Sequence, residues 1–230
     1  MSILTTWGLR LFGITGILGS ILFILGDLSY NHIPGSKDSP ALKMSRLPAA
    51  RLINAGTLGL VGCWLYTLAS LHLYLAFRPV GDLFAFIFLL AFAATSICYG
   101  IAHTAYFAIA AGAQVGAQLG SDAESGAKLG NAFFQRVTYI TYIPAAISSL
   151  MMLYGITTGR SMYPRWMALF LPIIIYLLKI PVTRILKGHL REIVNDSYDN
   201  IVLFVFLYSF YYRLMEWGGC IKLPGYEMNG

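Results

Sequence analysis

The sequence predicts an all-α fold, a polytopic transmembrane bundle of six spanning helices, on three observations. Of 230 residues, 57% are hydrophobic and only 11% charged, whereas a soluble domain carries about a quarter charged residues. The mean hydropathy of +0.67 exceeds what one core of this size can hide from water, and it also excludes disorder. Six apolar stretches approach the roughly 20 residues that a helix needs to cross hydrocarbon. Lipid offers backbone amides no partner, so spanning segments are helices unless a barrel closes, and the period-2 alternation of a barrel is absent.

The six stretches are residues 8–26, 52–77, 83–111, 133–157, 166–185 and 201–217 of a single integral membrane domain, 1–230. The first ends at Asp27 and the second at Arg78-Pro79. The first lacks a small-x-small cleavage site and is followed by five more spans, so it reads as an uncleaved helix and not as a secretory signal. Residues 27–51, 112–132 and 186–200 then fall on one face, here the near side. Nine Lys and Arg lie there (Lys37, Lys43, Arg46, Arg51, Lys128, Arg136, Arg184, Lys187 and Arg191) against six on the far side (Arg10, Arg78, Arg160, Arg165, Arg213 and Lys222). That bias places the near side in the cytoplasm and both termini on the opposite face. Asn195-Asp196-Ser197 is formally a glycosylation sequon, and on this topology it stays unmodified.

Glycines predict packing. Gly13, Gly16 and Gly19 in the first span mirror Gly56, Gly59 and Gly62 in the second, so these helices are expected to pack closely. Gly112, Gly116 and Gly120 read instead as a frayed helix end entering a loop over residues 121–130. Cys63, Cys98 and Cys220 form neither a disulfide framework nor a metal knuckle.

Polar groups inside spans are costly unless paired or wetted, and so mark candidate sites. On the near side, Asp27 closes the first span, and Arg51 and Asn54 open the second. Tyr99, His103 and Tyr106 share one face of the third span at i, i+4, i+7. Gln135, Thr138, Tyr139 and Tyr142 make a matching stripe on the fourth, and Tyr176, Lys179 and Thr183 on the fifth. Three stripes at one depth predict a cavity lined with hydrogen-bonding groups and open toward the cytoplasm. Asp27 and His103 are its candidate acid and base, with Arg51, Asn54, Tyr99, Tyr106, Gln135, Tyr139 and Lys179 as substrate-binding groups. Asp27 and Arg51 read equally as a simple ion pair, and Lys179 as a snorkelling cation. On the far side, His72 reads as a satisfied histidine, Arg213 and Glu216 as an interfacial ion pair, and Trp7, Trp166 and Trp217 as an aromatic belt.

Asn195-Asp196-Ser197-Tyr198-Asp199 has the NDxxD spacing and resembles the aspartate-rich, magnesium-binding motif of UbiA-type membrane prenyltransferases. The second motif of that family is missing and six spans are too few for it, so the pair reads as carboxylates at a helix N-terminus. No phosphate-binding, zinc-protease, dinucleotide or nucleophile-elbow motif occurs. The four histidines lie on different segments, and neither a cofactor nor a metal is expected. The charge of +6 is spread over membrane-flanking loops and matches anionic lipid, not nucleic acid.

The order GDLSYN at 26–31, MSRLPAARL at 44–52, a histidine late in the third span, YPRW at 163–166 and Asp199-Asn200 before the sixth resembles a family of small uncharacterised multi-pass membrane proteins. The resemblance implies the architecture and the importance of Asp27 and His103. The cavity implies an enzyme acting on a lipophilic isoprenoid, sterol-like or acyl compound by proton transfer, as an isomerase or cyclase does. The alternatives are a small-molecule carrier or channel, and a non-catalytic assembly protein whose polar groups only knit helices together.

Overall fold

The structure, a computed structural model, describes residues 3–36 and 38–217, with side chains described from Trp7 to Tyr212. Lys37, Cys220 and Lys222 lie outside the described residues, as do the side chains of Arg213, Glu216 and Trp217. The described chain is helical throughout. Its order is α1 (Ile3–Asn31), α2 (Pro40–Ser45), α3 (Ala49–Phe77), α4 (Asp82–Gln118), α5 (Ala123–Thr157), α6 (Pro172–Leu177), α7 (Lys179–Ile185), α8 (Gly188–Asp196) and α9 (Tyr198–Trp217). Single 3₁₀ segments at Arg78–Val80 and Arg165–Phe170 join α3 to α4 and precede α6. Among the described residues four helices, α1, α3, α4 and α5, are long and apolar enough to cross a membrane.

The expected first, second and fourth spans begin earlier than apolarity alone suggests, and the third ends later. At 37 residues α4 is about 55 Å long, well beyond the roughly 30 Å hydrocarbon slab. The glycines explain this. A Cβ added to Gly126 or Gly112 would fall on the other's carbonyl, and one on Gly116 would lie 3.2 Å from the Gly126 Cα. The expected frayed end is therefore a tight backbone crossing between α4 and α5, and only residues 119–122 turn. Gly120 supplies the left-handed φ of 74°, and Asp122 caps α5 by accepting from the Glu124 and Ser125 amides at 2.7 and 3.1 Å.

The α1–α3 packing is closest at Gly19 and Gly62, where each added Cβ would meet the other's carbonyl at 3.1–3.2 Å. The remaining glycines of the two triplets do not oppose one another. Gly16 faces Ala69 and Leu207, Gly13 faces His72 and Tyr211, Gly56 faces the Tyr30 hydroxyl, and Gly59 faces His103. Gly13, Gly16 and Gly59 thus seat large side chains from third helices (Tyr211, Leu207 and His103) against the α1–α3 pair.

The stretch expected as a single fifth span is broken into the 3₁₀ segment, α6 and α7. Pro172 has no amide to continue the preceding turn and opens α6, and the helix closes again at Leu178. Helix α9 runs antiparallel along α1. Asn200 meets Asp27, while Leu207 and Tyr211 face Gly16 and Gly13. A core of Phe77, Phe88, Met152, Tyr163, Phe206 and Phe210 closes the far half, and Tyr30, Met44, Leu52 and Ile109 anchor a second core at the near half.

Candidate functional site

The last turn of α1 brings Asp27 to the near half, where its carbonyl neighbours are fixed from α3. The Arg51 guanidinium donates to the carbonyls of Leu28, Ser29 and His32 at 3.2, 2.9 and 2.8 Å. Arg51 is therefore a cap on the exposed carbonyl end of α1 and does not pair with Asp27. Asp27 is bound instead from α9, where the Asn200 side-chain amide donates to its Oδ2 at 2.5 Å. His103 of α4 sets Nε2 3.5 Å from Asp27 Oδ1. That is ion-pair distance and too long for a good hydrogen bond.

Both Asp27 and His103 are buried. The His103 ring lies 4.6 Å from Phe23 and 6.3 Å from Tyr106, centroid to centroid. Its Nδ1 is buried with no hydrogen-bond partner among the described residues. Gly59 makes room for it, since a Cβ there would fall 2.6 Å from the imidazole Cγ. A histidine held by packing on three sides and by a carboxylate on the fourth is oriented but not saturated.

Asp27 and His103 close one end of a cavity of about 720 Å³ that separates α4 and α5 from α6 and α9. The polar end also holds Lys179, Asp196, Asp199 and Asn200, and Tyr99, Tyr106, Thr138 and Tyr176 line the walls. Lys179 Nζ sits 3.9 Å from Asp199 Oδ1 and over the rings of Tyr176 and Tyr198, 5.8 and 5.4 Å from their centroids. The Tyr198 hydroxyl donates to the Ile175 carbonyl at 2.7 Å, tying α9 to the broken segment. The rest is apolar, with Ala145, Leu150, Leu153, Ile173, Leu177 and Leu203. Tyr142, Leu150 and Leu177 are well exposed at its margin, so the cleft opens sideways at the depth of the helices.

Of the residues expected to line a cavity, Asp27, His103, Tyr99, Tyr106, Thr138, Tyr142, Tyr176 and Lys179 come together. Arg51, Asn54, Gln135 and Tyr139 do not. Asn54, Gln135 and Tyr139 are exposed and outside the cavity. Helix α5 is rotated relative to the expected stripe because Gly130, Val137, Thr141 and Ser148 bury its packing face. That leaves Phe134, Thr138, Tyr142 and Ala145 along the cavity, with Thr141 at the border of the two faces. Asn200 was not among the expected site residues, although the Asp199-Asn200 pair stands out at the entry to the last helix. Thr183 lies beyond the cavity, with its hydroxyl on the Lys179 carbonyl at 2.7 Å.

Asp196 sits in α8 outside the long apolar helices, where burial pushes its carboxyl above the usual range against the pull of Lys43 and His32. On the far side, His72 is saturated. Its Nδ1 donates to the Leu9 carbonyl at 2.8 Å, which leaves Nε2 to accept from the Tyr163 hydroxyl at 2.9 Å.

Four apolar helices of spanning length among the described residues, two of which (α4 and α5) form one wall of a mostly apolar cleft, define a helical membrane protein. Residues 5–216 match the family described as "Family of unknown function (DUF6796)", and the chain belongs to that family. No curated protein matches the chain, and no solved structure does.

Proposed function

We propose that the protein is a membrane-embedded enzyme that moves a proton on a lipophilic isoprenoid, sterol-like or acyl substrate, in an isomerase- or cyclase-like reaction. The observation that carries this reading is the buried Asp27–His103 pair in a cleft whose lining is otherwise mostly apolar and open at membrane depth. An apolar chain entering sideways would lie along Ala145, Leu150 and Leu203 with its polar end at Asp27 and His103. His103 then exchanges a proton with the substrate, Asp27 orients and balances it, and Asn200 holds the carboxylate in place. Tyr99, Thr138 and Lys179 supply orienting hydrogen bonds. Positioned acid–base groups of this kind contribute about 10²–10⁴-fold to rate.

Six crossings belong to the same reading. Helix α9 follows α1 from Asp27 to Gly13. The broken segment runs from Arg165, beside the Thr158 carbonyl, to Thr183 in the near-side groove with His32. Irregular backbone at that depth is tolerated where it lines a cavity. The Lys and Arg bias puts the near side in the cytoplasm and both termini opposite. The same break favours one second reading, a carrier, because discontinuous helices at a central cavity are a transporter device.

The test begins with protein purified in mild detergent, whose co-purifying lipids are identified by mass spectrometry and offered back as substrates. Turnover that falls by about 10²–10⁴-fold in His103→Ala, with the lipid still bound, supports the enzyme. Unchanged turnover removes His103 from the mechanism. Flux of the same compound into proteoliposomes without chemical change, lost in Lys179→Ala, makes the protein a carrier.

A further inference from the structure

We propose that His32, His189 and Glu192 form a binding site for one divalent transition-metal ion of zinc-like ligand preference, in the near-side groove beside the cavity. The three residues come from two distant parts of the chain. His32 follows the end of α1, and His189 and Glu192 lie at i, i+3 on the one face of α8 that also carries Asp196. Each offers one ligand atom, and the three atoms lie within 4.8 Å of one another. A tetrahedral zinc site, with metal–ligand bonds near 2.0–2.1 Å, needs its ligands about 3.4 Å apart. His189 and Glu192 are the more exposed members, with side-chain accessibilities of 67% and 41%, so they are free to close that difference by rotamer changes.

The backbone around His32 is fixed. Arg51 holds its carbonyl at 2.8 Å, and the Gly35 amide donates to Glu192 Oε2 at 3.4 Å, tying the loop after α1 to α8. His32 Nδ1 is buried with no hydrogen-bond partner, and the nearest carboxylate oxygen, Asp196 Oδ2, is 3.6 Å away. Two imidazoles with one carboxylate select zinc and its neighbours over magnesium and calcium, which take oxygen donors throughout. Asp196 stands next to His32 and can complete the set or orient it. The groove, about 470 Å³, also contains Lys43 and Arg191, so donor geometry and not a surplus of negative charge selects the ion. Asp196 and Asn195 line both this groove and the cavity, which places the ion one residue's width from the cavity's polar end.

The experiment uses the full chain in mild detergent, stripped with a chelator and titrated with Zn²⁺ by calorimetry, with Co²⁺ as a spectroscopic probe. The expected result is one Zn²⁺ per chain in the micromolar range or tighter, and a Co²⁺ visible spectrum of low coordination number. His189→Ala and Glu192→Gln, both on an exposed face, should each weaken binding about tenfold or more while leaving thermal unfolding of the metal-free protein unchanged. Absence of micromolar binding would overturn the proposal. So would equal affinity in the His189→Ala/Glu192→Gln double variant, which would place the ion elsewhere.

Discussion

Asn200 donates to Asp27 at 2.5 Å across 173 residues of sequence, and through this bond the last helix reaches the end of the first. Both residues are buried, and the bond sits at the base of the cavity where α1, α4 and α9 meet. Removing the donor strands a carboxylate that has no other hydrogen-bonding side chain among the described residues. Asn200→Ala should therefore cost on the order of 1–3 kcal/mol, read as a lowered unfolding midpoint in detergent. Asn54→Ala, on an exposed position outside the cavity, should stay within about 0.5 kcal/mol of the parent protein. Equal midpoints for the two variants would remove Asn200 from the structural role given to it here.

Gly59 has a purpose that its helix alone does not explain. A Cβ there would lie 2.6 and 2.7 Å from the Cγ and Cβ of His103, atoms too close to the α4 backbone to swing aside. Gly59→Ala must therefore push α4 away from α3 or turn the imidazole away from Asp27. The expected outcome is loss of turnover to the extent seen in His103→Ala, with a stability loss of about 1–3 kcal/mol from overpacking. Gly8→Ala is the comparison, because its Cβ would meet only ordinary contacts, Leu75 at 3.4 Å and Phe12 at 3.7 Å, and it should keep turnover.

Helix existence was legible in composition, because lipid forces helices on any long apolar run. Helix length was not, because the ends of α4 and α5 are held by Gly112, Gly116 and Gly126, whose low apolarity resembles a loop. On α5 the polar spacing is half right, since Thr138 and Tyr142 line the cavity while Gln135 and Tyr139 do not. Gln135 and Tyr139 fit a polar stripe through Thr138 and Tyr142, but burial of Val137, Thr141 and Ser148 against the bundle decides the rotation. Polarity alone does not distinguish the cavity edge from the outer surface. The Asp27–Asn200 bond and the meeting of His32 with His189 join segments more than 150 residues apart. No local pattern carries such a register.

The Asp122 cap gives the α4–α5 turn a defined acid sensitivity. Its carboxylate accepts from the Ser125 hydroxyl at 2.6 Å and from the Glu124 and Ser125 amides, and these bonds, that of the Ser125 side chain first, hold its pKa below the ordinary 3.8. A carboxyl whose folded value is depressed stabilises the fold above the unfolded value. That contribution disappears as pH falls through the folded value. The exchange protection factor at the first turn of α5, taken relative to the intrinsic rate at each pH, should therefore fall below about pH 4 in the parent chain. In Asp122→Ala it should already be low at neutral pH, with little further change on acidification. A parent chain whose exchange protection there is flat from pH 6 to below pH 3 would show that the cap contributes nothing.

Sidedness can be decided with a residue already present. Asn195-Asp196-Ser197 forms a sequon, and Asn195 is exposed on α8, in the same groove as Lys43 and Arg191. If the Lys and Arg bias sets orientation, this groove faces the cytoplasm and a glycosylating enzyme in the lumen never meets Asn195. Expression with microsomal membranes should then give no mass increase from this site. An amino-terminal tag carrying its own sequon should be modified, because that end emerges on the opposite face. The reverse pattern, sugar at Asn195 and a bare tag, would invert the molecule and place the polar end of the cavity toward the outside. Asn195→Gln serves as the control that assigns any added mass to this side chain.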